Sequence, residues 1–161
     1  MVAADGKPYS LGYDVLSGGG FSTSWATVGN IGVYPRTRTV LRLRHGTDDH
    51  WSISDSSGKK SRLDELRGCV DVDIGFTPST NTLPIRRLCL EIGQSADVDA
   101  AWVRFPELTV ERLRQRYTRL ADDRYRYESV DSGFTAELQV DTDGLVVMYE
   151  GLWERVGETS G

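Results

Sequence analysis

The sequence predicts an all-β fold built from antiparallel strands. Three observations point there. Apolar and polar residues alternate with a period of two through most of the apolar segments. Turn-forming clusters recur about every ten residues between those segments. Only one stretch has helical spacing, and its neighbours alternate like strands.

The elements follow in chain order. Ser17–Gly20 is the first break. From Thr39 to Arg44, Leu41 and Leu43 alternate with Arg42 and Arg44, and Gly46-Thr47-Asp48-Asp49 forms a turn. Trp51 and Ile53 alternate with Ser52 and Ser54, ahead of the turn Asp55-Ser56-Ser57-Gly58. Val70, Val72, Ile74 and Phe76 alternate with Cys69, Asp71, Asp73 and Gly75. In the ambiguous segment, Val110, Leu113, Tyr117 and Leu120 fall at helical spacing. A strand is favoured there, because a lone helix would have to be inserted between Trp102–Phe105 and Tyr125–Tyr127, which read as paired strands. Phe134, Ala136, Leu138 and Val140 form a further apolar face. Asp141-Thr142-Asp143-Gly144 then returns the chain through Leu145, Val147 and Tyr149, as a hairpin with a bulge.

A chain of 161 residues, 39% hydrophobic, suits one domain over 1–161 with a buried core. The longest apolar run, Leu145 to Tyr149, is far short of the roughly 20 residues of a membrane helix, so no integral membrane segment is expected. Met1 to Tyr9 has no apolar core of a signal peptide. Two cysteines make no disulfide framework, and a cytoplasmic location is expected. The net charge of −5 argues against a nucleic-acid partner. Of the 19 basic residues only Lys7, Lys59 and Lys60 are lysine; the other 16 are arginine. That excess suits planar pairing with carboxylates or anionic ligands, and equally a GC-rich codon bias.

Gly68 to Leu90 carries the most information. It reads as a strand, a polar connection (Thr77-Pro78-Ser79-Thr80-Asn81-Thr82) and a second strand. A symmetric hairpin sets Phe76 opposite Leu83, Ile74 opposite Ile85, Asp73 opposite Arg86 and Val72 opposite Arg87. A slip by one residue brings Arg87 to the acids instead. Two readings of the Asp–Arg group stay open: a salt-bridge cluster that pins the register, or the polar floor of a ligand cavity. Asp71 and Asp73, on one strand face, also have a spacing usable for acid–base chemistry. The connection is dense in short hydrogen-bonding side chains, which make turns and can also contact a ligand.

The run GCVDVDIGFTPSTNTLPIRRL resembles the signature of the bacterial putative glycolipid-binding protein family. The resemblance extends from about Pro8 to Arg155. It implies an open, strongly curved β half-barrel or barrel-like roll with at most one short helix, similar to the lipoprotein carriers of the bacterial periplasm. It implies an amphiphilic ligand such as a glycolipid on the concave face. It assigns no catalytic residue. Asp71, Asp73, Thr77, Thr80, Asn81, Arg86 and Arg87 are the residues it marks for shape or ligand binding. Family members carry a further strand segment before the position of Pro8, where this chain has only seven residues. An edge left open there would favour a homodimer. The alternatives are a sugar-acting hydrolase using Asp71 or Asp73, and an interaction module pairing through a free edge strand.

No other pattern carries comparable chemistry. His45 and His50 flank two aspartates, but a solvated turn explains them, and no metal site is expected. No cofactor is expected either: Gly18-Gly19-Gly20 lacks the lysine of a phosphate loop. In the hairpin register Cys69 faces Leu90 and points away from Cys89, so no disulfide is expected. Trp25, Trp51, Trp102 and Trp153, with seven tyrosines, are candidates for core or for a sugar- or lipid-binding wall.

Overall fold

The computed structural model describes residues 2–4, 7–30 and 40–156. Thr39, the expected start of one strand, lies outside them. A ribbon of β1 (Val2–Ala4) and β2 (Lys7–Tyr9) comes first, so the segment before Pro8 does hold a strand. An antiparallel meander follows: β3 (Leu11–Ser17), β4 (Thr23–Asn30), β5 (Val40–His45), β6 (Trp51–Ser54) and β7 (Lys60–Leu63). This five-stranded sheet curls as a half-barrel. Alternation sorts its faces: Ala26, Val28, Leu41, Leu43 and Trp51 are buried, while Trp25, Arg42 and Arg44 are exposed on the other side.

The second sheet has seven strands. These are β8 (Asp71–Ile74), β9 (Ser95–Val103), β10 (Val110–Arg119), β11 (Arg124–Ser129), β12 (Phe134–Val140), β13 (Val146–Tyr149) and β14 (Trp153–Glu154). Their order is β14-β13-β12-β11-β10-β9-β8. The ambiguous segment is strand β10, with Leu113, Gln115 and Tyr117 buried in alternation. It pairs with β9 over Val110–Thr118 and with β11 over Gln115–Arg119, so ladders on both sides take up the backbone groups of its second half. The Asp141–Gly144 hairpin forms with a register shift at Gln139/Val140, as expected.

The largest departure lies in Gly68–Leu90. The expected second strand is instead helix α1 (Thr82–Leu88), entered through a 3₁₀ turn at Pro78–Asn81. β8 has no hairpin partner; it pairs in parallel with β9, and α1 is the crossover between them. The register that put Asp73 opposite Arg86, Val72 opposite Arg87 and Cys69 opposite Leu90 is therefore wrong. The local chemistry is that of a helix start. Thr77 is extended and accepts from Ser79 N, Pro78 takes the first position of the 3₁₀ turn, and Pro84 lies in the first turn of α1, where a missing N–H is tolerated. Arg86 and Arg87 fall in the last turn, facing the negative end of the helix dipole. Both cysteines are free thiols, Cys69 buried in the core and Cys89 exposed as the cap of α1.

Two cores result. The first lies behind β8 and β9, where Val72, Ile74, Ala101 and Val103 meet Trp51, Leu43 and Leu66. Trp51 Nε1 donates to Cys69 O at 2.8 Å, and Thr23 N to Val70 O at 3.1 Å, stitching β4 to the start of β8. The second lies in front, where Ile85 and Leu90 cover Tyr117, Tyr125, Leu138 and Val140. Thus β8 and β9 are covered on both faces, as parallel strands usually are.

Candidate functional site

β8 alternates, so Val72 and Ile74 face the first core while Asp71 and Asp73 face the side that carries α1. The two carboxylates meet different fates. Asp71 is fully buried and pairs with Arg87, which reaches over from the last turn of α1. Asp71 Oδ1 and Arg87 Nε are left without hydrogen-bond partners. Burial pushes the Asp71 carboxyl above its usual pKa, and the guanidinium opposes that shift. Asp73 has no arginine. It accepts a hydrogen bond from Gln115 Nε2 on β10, and burial raises its pKa from 3.8 to about 6.

Asp73 lines a cavity of about 510 Å³. Thr77 and Asn81 line it too, from the 3₁₀ turn. Asn81 Oδ1 accepts from the Tyr117 hydroxyl at 2.6 Å, and its Nδ2 donates to Pro78 O at 3.0 Å. Polar, charged and aromatic side chains share the lining. Gln115 Nε2 also donates to the Tyr127 hydroxyl at 3.1 Å, and Tyr127 lies 6.0 Å from Tyr149, centroid to centroid. Phe134, Leu152 and Trp153, all more than 40% exposed, line the outer part together with the exposed Glu111, Arg112, Asp131 and Ser132. Burial raises the pKa of Tyr127 and Tyr149 further, so both phenols remain hydrogen-bond donors at neutral pH. Gly75 lets Trp102 approach: a Cβ there would sit 2.9 Å from Trp102 Nε1.

The other marked residues serve the scaffold. Thr80 is buried and accepts from Ile74 N at 3.2 Å. Arg86 donates to Asp143 O at 2.6 Å and lies over the Phe21 ring, holding the Asp141–Gly144 turn against α1. A Cβ at Gly144 would lie 3.2 Å from Arg86 Cγ, a tight contact, and the positive φ of 75° there also favours glycine. The structure therefore gathers Asp73, Thr77 and Asn81 at the cavity and leaves Asp71, Thr80, Arg86 and Arg87 behind it. Gln115 and Phe134 were not marked from sequence, and Tyr127 and Tyr149 entered only among the seven tyrosines named for core or a ligand wall. Their signal was the alternation of β10 to β13, which marks an inward face but not an unfilled one. Of the four tryptophans, Trp102 and Trp153 line this cavity, and Trp51 is core.

His45 and His50 remain in their turn. His45 Nε2 lies 3.3 Å from Asp49 Oδ1, and His50 Nδ1 lies 2.9 Å from Asp48 O. No group of three or more metal-ligating side chains occurs among the described residues. No helix among them is long and apolar enough to cross a membrane.

A curled half-barrel, joined to a sheet wrapped on one short helix and holding a cavity lined by polar and aromatic residues, is the class of structure these residues define. The chain belongs to the family described as putative glycolipid-binding, which matches residues 1–155. A DUF1089 family protein from Pseudomonas aeruginosa, known from a crystal structure, is similar over 94% of this chain and 80% of that one. The two share 36% sequence identity and a TM-score of 0.82. No curated protein matches the chain. The resemblance carried by Gly68–Leu90 thus identified the family, although its second half folds as a helix.

Proposed function

We propose that the protein binds an amphiphile with a sugar headgroup in the cavity beside Asp73. The observation that carries this reading is a cavity wall that holds both hydrogen-bonding and aromatic side chains. Asp73, Thr77 and Asn81 offer acceptors and donors at one part of it, while Phe134, Leu152 and Trp153 present apolar surface in its outer part. The volume of about 510 Å³ falls in the usual range for small-molecule sites, roughly 300–1,000 Å³. Above pH 6 the ionised Asp73 accepts from sugar hydroxyls, and the aromatic rings take the apolar face of the ring and the first methylenes of the chain. Each buried methylene adds about 0.8 kcal/mol. The family description is consistent with this reading.

Titration calorimetry with octyl glucoside, below its micelle concentration, is the test. Octyl glucoside should bind more tightly than glucose or octanol alone. Trp153→Ala should weaken octyl glucoside by about tenfold while leaving the fold intact, since Trp153 is largely exposed. Equal affinity for octanol and octyl glucoside would remove the headgroup from the account.

Glycoside hydrolysis is a second reading, favoured by a carboxyl of pKa about 6 on a cavity wall. It asks Asp73 to act without Asp71, which Arg87 occupies. Release of nitrophenol from nitrophenyl glycosides, abolished in Asp73→Asn, would establish it. Binding without release would leave the first reading alone.

A further inference from the structure

The outer face of the five-stranded sheet holds a second concavity, of about 720 Å³, which shares no lining residue with the first. Pairing across the strands builds it in two rows. One runs Leu16, Trp25, Arg44, Ser52; the other runs Thr27, Arg42, Ser54, Lys60. Neighbouring strands lie about 4.8 Å apart, so Trp25 stands directly between Leu16 and Arg44. Leu16 is 51% exposed and Trp25 38%. One side of the concavity is therefore apolar and the other cationic.

Eight described arginines are neutralised by carboxylates, whereas Arg67, Arg86, Arg124 and Arg126, like Arg42 and Arg44, make no ion pair among the described residues. Arg62, Arg87, Arg104, Arg112, Arg114, Arg116, Arg119 and Arg155 each lie within 4.0 Å of a carboxylate. Arg42, Arg44 and Lys60 make no ion pair and no side-chain hydrogen bond among the described residues. The acids nearest in the pairing scheme do not relieve them. Asp14 opposes Thr27 at the far edge, and the Asp55 carboxylate is taken by Ser57 and the backbone N–H of Lys59. Three unpaired cations facing one another in a concavity repel unless an anion sits between them.

We propose that this face is a second ligand site for an amphiphile with an oxyanion headgroup. Arg42, Arg44 and Lys60 hold the anion, for which guanidinium groups supply paired donors. Trp25 and Leu16 cover the adjoining apolar part. A nucleic acid fits less well, because the protein as a whole is acidic and a single tryptophan provides only one stacking platform.

The test is titration calorimetry of the full chain with decyl phosphate, inorganic phosphate and an oligothymidylate. Decyl phosphate should bind about tenfold or more tightly than inorganic phosphate. Arg42→Gln/Arg44→Gln should weaken it by about tenfold, the loss expected for charge-assisted hydrogen bonds, with octyl glucoside binding unchanged. Trp25→Ala should remove the advantage of decyl phosphate over inorganic phosphate. The unaltered chain provides a readout independent of any variant, since the Trp25 indole resonance should move with decyl phosphate. Unchanged affinity in the double arginine variant, or a stationary Trp25 resonance, would overturn the proposal. Equal affinity for inorganic phosphate would overturn the amphiphile in favour of the free anion. Tighter binding of the oligothymidylate would overturn it in favour of a nucleic acid.

Discussion

Asp71 and Asp73 stand two residues apart on one strand face, yet one is spent on an arginine and the other lines a cavity. Their common face was legible in the sequence, because a period of two assigns faces without knowing the partner strand. Their separate environments were not, because those depend on which element crosses in front. Asp73 carries a consequence for stability. Its folded pKa of about 6 lies above its unfolded value of 3.8, so the folded protein binds the extra proton between those values. The stability contributed by this group is fullest below pH 3.8, falls as pH rises to about 6, and is level above that. Asp73→Asn should therefore raise the unfolding free energy at pH 7 by about 2 kcal/mol and flatten the fall between pH 4 and 6. Denaturant unfolding across that range checks it. An unchanged pH slope would mean that Asp73 is as well solvated as in the unfolded chain.

At the scale of elements, α1 shows how one polar segment supports two readings. Leu83 and Ile85 have strand spacing, and Ile85 with Leu88 has helical spacing; seven residues cannot decide between them. The deciding signals were Thr77 followed by Pro78, with Pro84 tolerated in the first turn and two arginines in the last. A parallel partner for β8 also needed a crossover, and the distance from Gly75 to Gln94 provides one. In β10 the opposite happened: helical spacing was present, but neighbouring strands on both sides imposed the extended form. The end of α1 is testable. Cys89 adopts φ 46° and ψ 45°, a left-handed conformation that favours glycine, and its side chain is exposed. Cys89→Gly should stabilise the protein by about 0.5–1 kcal/mol in urea unfolding. A loss of stability would show that the thiol makes a contact worth more than the backbone strain.

For the whole molecule, the residues foretold sheets with one apolar face, and the family signature foretold their curvature. What neither foretold is where the sheets remain unfilled. The second sheet is plugged by α1 over Tyr117, Tyr125 and Leu138, and stays open beside Asp73. An open cavity is a matter of volume left over, which no single segment encodes. The arginine excess also resolves only at this scale. Eight of the fourteen described arginines pair with carboxylates, and of the other six Arg42 and Arg44 lie together in one concavity on the outer face. The four tryptophans divide the same way: Trp102 and Trp153 at the cavity, Trp25 on the outer face and Trp51 in the core. Their indole N–H resonances therefore report directly on which concavity takes the sugar amphiphile, in a titration with octyl glucoside followed by proton–nitrogen correlation spectra. The Trp102 and Trp153 signals should shift with saturation while Trp51 and Trp25 stay in place. Saturable shifts confined to Trp25, or no shift in any of the four, would contradict binding beside Asp73.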